Sequence, residues 1–313
     1  MSLFHRPVHA VLIACALFSS GAASAAAISD FNLIAFGNVT GTSLVEGRSA
    51  IFGNLSGNSK TFVTSTAGLA DPVGTAGLGV NDGLLIGGSA SGGPMNVNNG
   101  ADVRVAGSGS AGSINPNGGQ ETFNDAGVSP ILDALETSVL SMENFFDARD
   151  VNSTVNLSDL NRVVFNATPV DGIAVFEVGS TQLFHRNGQF DLTGDLSADL
   201  FLIRVTGGSD INTSGLNPKS FEFNDPTFQS RIAFYFPDAS ASTDLRFNGG
   251  LGGALLARQA NLIVTNPLEG TVVAGNVTLN SGVHLPVFTV VPEPGTALLM
   301  GLGLAGLAAI RRP

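Results

Sequence analysis

Phe31-Asn32-Leu33-Ile34-Ala35-Phe36-Gly37-Asn38 is a short apolar run that stops at a Gly-Asn pair. The pattern returns sixteen residues later, where Ala50-Ile51-Phe52 stops at Gly53-Asn54. Similar runs at 84–86 and 102–106 also end at glycine. Short strands separated by regular turn signals are typical of a β-solenoid or a β-sandwich. In a solenoid, glycine and asparagine occupy the corners because they tolerate positive φ angles.

An internal sequence repeat favours the solenoid over the sandwich. Val45-Glu46-Gly47 precedes the apolar run 50–55, and Leu268-Glu269-Gly270 precedes a similar run at 272–277. The two copies would be neighbouring or stacked coils. Other apolar runs do not alternate with polar residues, and such continuous runs are typical of strands buried on both faces. These runs are 173–178, 200–205, 231–236, 254–256 and 262–264. The sequence therefore predicts one mainly β, parallel β-solenoid-like domain over residues 26–290.

One segment has helical rather than β periodicity. Ser129-Pro130 is a helix start, with serine as the N-cap and proline at the first helical position. We predict one long amphipathic helix over about 130–148 that packs its apolar side on the solenoid. In the alternative interpretation the same helix binds a partner protein. Its apolar stripe recurs every three or four positions, at Ile131, Leu135, Val139, Met142 and Phe146.

The first 25 residues have the layout of a secretory signal sequence. An apolar stretch at 11–18 is followed by Ala23-Ser24-Ala25, which is typical of a signal peptidase site with Ala23 and Ala25 as its small residues. Cleavage would start the mature chain at Ala26. The alternative is a lipoprotein cut before Cys15, the only cysteine of the chain. With cleavage after Ala25 the mature chain would have no cysteine, and its fold would depend on its core alone.

The last 23 residues are predicted to be a sorting tail. Pro292-Glu293-Pro294 is followed by the uncharged run 295–310 and by Arg311-Arg312. As a helix this run would span roughly 24 Å, which is short for a bilayer core of about 30 Å. We predict a short C-terminal transmembrane helix with the arginines on the cytoplasmic side. The tail resembles the PEP-CTERM sorting signal in its tripeptide, apolar run and basic end.

The PEP-CTERM resemblance implies a processing enzyme of the exosortase type, in a Gram-negative cell that makes exopolysaccharide. It also implies attachment to the membrane through the tail during export through the inner membrane. The protein would then reach the cell surface or the extracellular matrix, with the tail either cleaved or retained.

The body resembles the choice-of-anchor A family in motifs spread over most of residues 28–288. Arg258 and Tyr235 depart from that pattern, in which proline and asparagine are usual. The family has varied anchors and no assigned catalytic residues, so the resemblance implies a fold and a location rather than an activity. The matching residues are Gly37-Asn38, Val45-Glu46-Gly47, Gly53-Asn54, Phe236-Pro237-Asp238-Ala239, Gly253-Ala254-Leu255-Leu256-Ala257, Glu269-Gly270-Thr271-Val272, His284 and Pro286-Val287-Phe288.

Charge and residue types weigh against several kinds of site. A net charge of −11 argues against nucleic acid as a partner. His185 and His284, the histidines outside the predicted signal, lack metal-ligand spacing, so no zinc site is predicted. Asp191, Asp195 and Asp199 could gather calcium, but solvated turn carboxylates are the preferred interpretation. No cofactor and no catalytic residue are predicted.

These patterns predict an exported, non-enzymatic surface or matrix protein whose partner is exopolysaccharide or an envelope protein. The chain has no tryptophan and one tyrosine, which weighs against a lectin-like stacking platform. An ice-binding protein is the alternative, but it needs a ladder of threonines. The only tight group along the chain is Thr64-Ser65-Thr66, with Thr61 nearby. A polysaccharide-degrading β-helix enzyme is less favoured, because no cleft of carboxylates can be assembled from the sequence.

Overall fold

The structure is a computed structural model that describes residues 26–109, 112–159, 161–184, 188–213 and 220–289. Several predicted features therefore lie outside the described residues. Within those ranges no helix is long and apolar enough to cross a bilayer. The features outside them are the signal sequence with Ala23 and Ala25, His185, and the tail with Pro292, Glu293, Pro294, Arg311 and Arg312.

Three parallel sheets form the sides of a coil, which we call faces A, B and C. In the order of their pairing, face A contains β12 (Glu121–Phe123), β10 (Asp102–Val105), β7 (Asp82–Ile86), β4 (Ser49–Ile51), β1 (Leu33–Ala35), β25 (Val272–Ala274), β22 (Ala254–Ala257), β19 (Ile232–Tyr235), β17 (Leu200–Thr206) and β15 (Ile173–Gly179).

Faces B and C contain seven strands each. Face B is β18 (Ile211–Asn212), β20 (Asp244–Phe247), β23 (Asn261–Val264), β26 (Val277–Leu279), β2 (Val39–Gly41), β5 (Leu55–Gly57) and β8 (Ala90–Gly92). Face C is β11 (Ile114–Asn115), β9 (Met95–Val97), β6 (Thr61–Phe62), β3 (Leu44–Val45), β27 (Val283–His284), β24 (Leu268–Glu269) and β21 (Leu251–Gly252).

From β1 to β10 and from β19 to β27 the chain visits the faces in the repeating order A, B, C, so three successive strands make one coil. Between β10 and β19 some coils lack a strand on face B or C, and β16 (Gln189–Gly194) belongs to a separate sheet. In the first coil Leu33, Val39 and Val45 point inward from the three faces, and none of them is exposed. Stacking such coils buries apolar side chains that a single coil would leave in water. The predicted mainly β fold with parallel strands is confirmed.

The coils do not follow one another along the chain from one end to the other. The first coil lies in the middle, because β1 pairs with β4 on one side and with β25 on the other. In the same way β2 pairs with β5 and β26, and β3 pairs with β6 and β27. The first half of the chain therefore builds outward from this coil. The second half starts at the opposite end and builds back to it.

This arrangement explains the internal repeat of the sequence, in which the apolar run 50–55 resembles the run 272–277. Ile34 of β1 is the register partner of both Ala50 and Val273, which belong to the two copies of the repeated run. The copies are therefore stacked on the two sides of the first coil, and that coil separates them.

A single long helix covers the outer side of face A. Its apolar side chains form one buried cluster with outward residues of face A, among them Ile34, Leu85, Val175, Leu202 and Val273. The predicted stripe is confirmed, and Ile131, Leu135, Val139, Met142 and Phe146 are all buried. The helices are α1 (Val128–Asp147), α2 (Ser180–Phe184) and α3 (Pro226–Gln229), with 3-10 helices at Ala26–Asp30, Thr66–Leu69 and Phe221–Asn224.

The predicted start of α1 was wrong by two residues. The helix begins at Val128 with Gly127 as its N-cap, and not at Pro130 with Ser129 as the cap. Val128 is fully buried, and its N–H donates to the Asp125 carbonyl at 3.2 Å, so packing favours the earlier start. Proline fits within the first turn because those N–H groups have no partner inside the helix. The helix ends at Asp147, one residue before the predicted end.

Polar side chains hold the last turn of α1 on face A. Arg204 donates from Nη2 to the carbonyls of Phe146 at 2.7 Å and Arg149 at 2.8 Å. The Arg258 guanidinium binds the Glu143 carboxylate, and Tyr235 donates to Asp147 at 3.0 Å. Arg258 and Tyr235 are the two departures from the choice-of-anchor A pattern, and both contact α1 in this chain.

The end of the coil next to β15 is closed by a separate three-stranded sheet. Beneath it lies a cluster of phenylalanines, in which the rings of Phe165, Phe190 and Phe223 have centroids 5.5–5.6 Å apart. Such aromatic packing fills the wide interior at this end and shields the last coil from water. The sheet consists of β13 (Thr154–Asp159), β14 (Arg162–Ala167) and β16 (Gln189–Gly194).

Candidate contact surface on face B

A row of small hydroxyl side chains runs across the outer side of face B. Thr278, Thr40, Ser56 and Ser91 come from β26, β2, β5 and β8. Each of them follows a buried inward residue and is itself half-buried or exposed. The Oγ1 atoms of Thr40 and Thr278 are hydrogen-bonded at 3.2 Å. Parallel strands lie about 4.8 Å apart, so the hydroxyls repeat at that interval along the coil axis.

A second row, made of amides, lies at the corner between faces A and B. Asn276 donates to Asn261 at 3.0 Å, and Asn276 Oδ1 accepts the backbone N–H of Asn38 at 2.9 Å. Asn38 Oδ1 accepts from the backbone N–H of Asn54 at 2.8 Å and from its side chain at 3.1 Å. We call Asn261, Asn276, Asn38 and Asn54 the amide ladder. The Gly-Asn pairs of the sequence are therefore corner residues, as predicted. The predicted reason was wrong, because Gly37, Asn38, Gly53 and Asn54 do not have positive φ angles. Close stacking requires the glycine instead, since a Cβ on Gly53 would lie 2.6 Å from the Gly37 carbonyl oxygen.

The two rows form a regular polar array. Two residues along a strand span about 6.6 Å, so the array repeats at about 4.8 Å along the axis and about 6.6 Å across it. In β26, β2, β5 and β8 the outward side chains carry no charge. Strands β2, β5 and β8 end in glycines with φ angles of 104°, 108° and 89°, at Gly41, Gly57 and Gly92. A Cβ on Gly57 would lie 2.9 Å from the Gly41 carbonyl oxygen, so these positions exclude side chains.

The array changes where face B continues into the second half of the chain. The register partner of Thr278 in β23 is Ile263, and Ile263 in turn faces Arg246 of β20. A larger apolar side chain and a charge thus replace the hydroxyls at this end. The surface can therefore form hydrogen bonds over β26 to β8, and it has an additional apolar and cationic contact beside them.

The hydroxyl row is not visible as a pattern along the sequence, because the row crosses the coils and its members lie far apart in the chain. Thr40 and Thr278 are 238 residues apart. Thr61 lies on face C, and Thr66 lies in a 3-10 helix outside the sheets. A usable signal was present in the tripeptides Asn38-Val39-Thr40, Asn54-Leu55-Ser56 and Asn276-Val277-Thr278. Each tripeptide supplies one amide, one inward apolar residue and one outward hydroxyl.

The two Glu-Gly pairs of the internal repeat, Glu46-Gly47 and Glu269-Gly270, lie at the corner between faces C and A. They join the two halves of the coil. Glu46 binds His284 Nδ1 at 2.8 Å and the backbone N–H of Leu285 at 2.9 Å. Asn32 donates to the carbonyls of Gly270 at 2.8 Å and His284 at 3.0 Å, and it accepts from Gly47 at 3.1 Å. His284 thus holds the junction together, and these groups are engaged in structure.

The aspartates considered for calcium do not come together as a metal site. Asp191 is not the solvated turn carboxylate that was predicted, because it is buried in β16 and pairs with Arg162. Asp195 is exposed and accepts hydrogen bonds from Ser197, which lowers the pKa of its carboxyl. Asp199 lies before β17, where its carboxylate faces Gly172. Among the described residues, no group of three or more histidine, cysteine and acidic side chains could hold a metal ion.

Two cations are fully buried, Arg48 away from face B and Lys60 against strand β5 of that face. Arg48 donates to the carbonyls of Ala70, Val80 and Asp82 at 2.5, 2.7 and 2.8 Å, and burial lowers its pKa. These bonds hold the segment between β6 and β7 against the coil. The Lys60 amine donates to the Ser56 carbonyl, and burial lowers its pKa to about 8. Both cations are bound to backbone carbonyls, so their roles are structural.

Fold and surface together define a class: a three-sided parallel β-solenoid that carries a polar array on one open face. Residues 24–285 match the family model described as "Putative Ice-binding-like adhesive domain", and the chain belongs to this family. Residues 290–312 match the PEP-CTERM protein-sorting motif, which implies processing by exosortase-type machinery and export. The choice-of-anchor A resemblance is not confirmed by these matches. No curated protein matches the chain.

Three solved structures are similar to the chain at low sequence identity. An ice-binding protein from an Antarctic biological consortium is 16% identical, covers 84% of this chain and 89% of its own, and has a TM-score of 0.31. A glycosylated ice-binding protein from an Arctic yeast is 14% identical, with 86% and 96% coverage and a TM-score of 0.32. The ice-binding protein of the Antarctic ascomycete Antarctomyces psychrotrophicus is 15% identical, with 83% and 96% coverage and a TM-score of 0.29. The fold described above rests on the strand pairing and not on these similarities.

Proposed function

We propose that the protein is an exported, non-enzymatic adhesive module that binds a neutral, hydroxyl-rich polymer of the extracellular matrix through face B. The polar array of amides and hydroxyls carries this proposal. Each amide has a donor and an acceptor, and each hydroxyl has both functions, so a regular array can pair with regularly spaced sugar hydroxyls. The family description names binding and adhesion, and no reaction, which supports a non-enzymatic role.

The test compares two outward threonines on different faces. Thr40→Tyr places a bulky ring in the hydroxyl row, and Thr61→Tyr places the same ring on face C. We expect the unaltered protein to be retained on cellulose or agarose beads, Thr40→Tyr to lower that affinity about tenfold, and Thr61→Tyr to leave it unchanged. Equal retention of all three proteins would reject face B as the contact surface.

Binding to ice is the second candidate function. It is supported by the family description and by the row of Thr278, Thr40, Ser56 and Ser91. The protrusion of Ile263 and Arg246 beside that row counts against a fully flat surface. Thermal hysteresis of the same variants distinguishes the candidates, because an ice binder depresses freezing and loses that effect in Thr40→Tyr. Retention on beads without hysteresis would identify the polymer as the ligand.

We also propose roles for the residues of the signal sequence and of the sorting tail. Signal peptidase would cut after Ala25, with Ala23 and Ala25 as the small residues that it recognises. The tail would hold the chain in the inner membrane during export, with Arg311 and Arg312 on the cytoplasmic side. An exosortase-type enzyme would recognise Pro292-Glu293-Pro294 and release the body to the cell surface or matrix.

A further inference from the structure

The coil consists of two stacks of strands that come from separate halves of the chain. Strands β1 to β12 form the first stack, and strands β15 to β27, except β16 of the closing sheet, form the second. The two stacks meet in one plane, where β1, β2 and β3 pair with β25, β26 and β27. Among the described residues, every strand pairing between the two stacks lies in this plane, which we call the junction.

The junction has the anatomy of an interface between two proteins. Its rim is polar, because Glu46 Oε1 lies 2.8 Å from His284 Nδ1, and the hydroxyls of Thr40 and Thr278 are hydrogen-bonded at 3.2 Å. A buried apolar centre within a polar rim is the usual arrangement where separate proteins associate. The register pairs at the centre are buried apolar residues, Leu33 with Val272, Val39 with Val277 and Val45 with Val283.

Helix α1 lies in the part of the chain that connects the two stacks, and it contacts both of them. Its first turns rest on the first stack, where a Cβ on Gly87 would lie 2.8 Å from Leu132 Cδ1. Its last turns are bonded to the second stack, since Arg204 donates to the carbonyls of Phe146 and Arg149. The helix therefore holds the two stacks of one chain together.

We propose that two copies of the protein can exchange halves at the junction, and that the contacts of α1 with the second stack favour pairing within one chain. In the exchanged form, the first stack of each copy pairs with the second stack of the other copy through the same three strand pairs and the same rim. Exchange of identical elements is a low-cost route to a dimer, because it needs no new interface. Reciprocal exchange leaves both coils complete, each with its own face B.

The balance between the two pairings depends on protein concentration. Two interacting elements that are joined by a short link have an effective concentration in the millimolar range. Pairing within one chain is therefore favoured in dilute solution, whereas exchange competes with it as the protein approaches about 1 mM. Loss of the Arg204 bonds frees the end of α1 from the second stack, so it shifts the balance toward exchange.

Two pairs of cysteines distinguish exchange from pairing within one chain, in the full chain with Cys15→Ser, which removes its only cysteine. Thr40→Cys with Thr278→Cys spans the junction, and Ser89→Cys with Ser108→Cys is the matched control inside the first stack. The two hydroxyls are 3.2 Å apart in both pairs. Neighbouring strands lie about 4.8 Å apart, which suits a disulfide. Exchange links two chains through the junction pair only.

Each protein is unfolded in urea, returned to buffer with mild detergent at about 10 µM or about 1 mM, oxidised, and separated on denaturing gels without reductant. We expect disulfide-linked dimers of the junction pair near 1 mM only, a severalfold larger dimer fraction when Arg204→Met is added, and monomers of the control pair throughout.

Junction cross-links that are absent, or confined to single chains under every condition, would overturn the exchange. Equal dimer fractions for the two pairs would overturn it as well, because such dimers arise from random oxidation. An unchanged dimer fraction with Arg204→Met would refute the role of α1. Cross-linking of the control pair within single chains of that variant shows that its first stack still folds.

Discussion

At the scale of single residues, the amide ladder connects the two halves of the chain. Asn38 accepts two hydrogen bonds from Asn54 on one side, while its backbone N–H binds Asn276 on the other. Its neighbours in this ladder come from opposite ends of the sequence. The Gly-Asn signal predicted a corner correctly, but it contained no information about which corners would stack.

Asn38→Ala removes the acceptor for the backbone and side chain of Asn54. We expect a loss of about 1 kcal/mol in the free energy of unfolding, the usual net value of such hydrogen bonds, measured by urea denaturation. Asn280→Ala, an exposed asparagine after β26, is the matched control and should change stability little. An equal effect of the two substitutions would show that the ladder does not stabilise the coil.

Because of Lys60, the free energy of unfolding should depend on pH in the alkaline range. The folded protein binds the Lys60 proton with a pKa of about 8, below the ordinary value of 10.5, because the amine is buried. Between these values the unfolded chain binds more protons, so stability rises with pH. Below pH 8 both states are protonated, and the full cost of burying the charge, at most about 3 kcal/mol, applies.

Lys60→Met should therefore stabilise the protein at pH 7 and flatten the rise in stability toward higher pH. Urea unfolding between about pH 7.5 and 9.5 measures both effects and stays below the range in which tyrosine ionises. Burial and the nearby Asp147 raise the pKa of Tyr235 further, so its folded form does not titrate in this window. An unchanged slope in the variant would assign the pH dependence to other groups.

At the scale of elements, α1 stabilises face A by covering apolar strands that would otherwise face water. The stripe from Ile131 to Phe146 was predictable because it depends on local spacing alone. The surface under the helix was only partly predictable. Apolar runs such as 200–205 indicated burial on both sides, but they did not show that strands from both halves of the chain share one helix.

Leu135→Asp should strongly destabilise the fold, by about 3 kcal/mol or more, because it places an unpaired charge in the contact between α1 and face A. Leu135 is fully buried, whereas Leu140 on the same helix is 38% exposed. Leu140→Asp is thus a control with the same chemistry and helix propensity. Thermal unfolding should show a large drop for the first variant only, and equal drops would mean that α1 is not docked through this stripe.

At the scale of the whole molecule, the proposed function assigns binding to the body and sorting to the tail. Replacing Pro292-Glu293-Pro294 by three alanines removes no apolar residue, so insertion of the tail should be unchanged. The altered chain should accumulate uncleaved in the membrane fraction, detected by a tag placed before the tail. The matched control replaces Thr289 alone by alanine. Normal release of the triple variant, at normal size, would show that the tripeptide is not a processing signal.

The architecture was predictable from the sequence to the level of a coil with a helix beside it. Its winding order was not, because the decisive pairings are long-range, such as Leu33 with Val272. For the same reason the hydroxyl row of face B was not predictable, since Thr278 lies near one end of the chain and the other three hydroxyls lie in its first third. Local patterns predict strands, corners and stripes, whereas the neighbours of each coil depend on the whole fold.

The central position of the first coil also determines when the protein can finish folding. A chain that crosses the membrane with its N-terminus first exposes β1, β2 and β3 early, but their second neighbours, β25 to β27, arrive more than 230 residues later. Until then one edge of each sheet stays open, and open edges pair readily with other chains. The last residues to emerge before the tail are thus the ones that close the coil. In the role proposed for the tail, a pause in the membrane would keep each molecule apart from others until the coil closes, so the tail would aid folding as well as direct export.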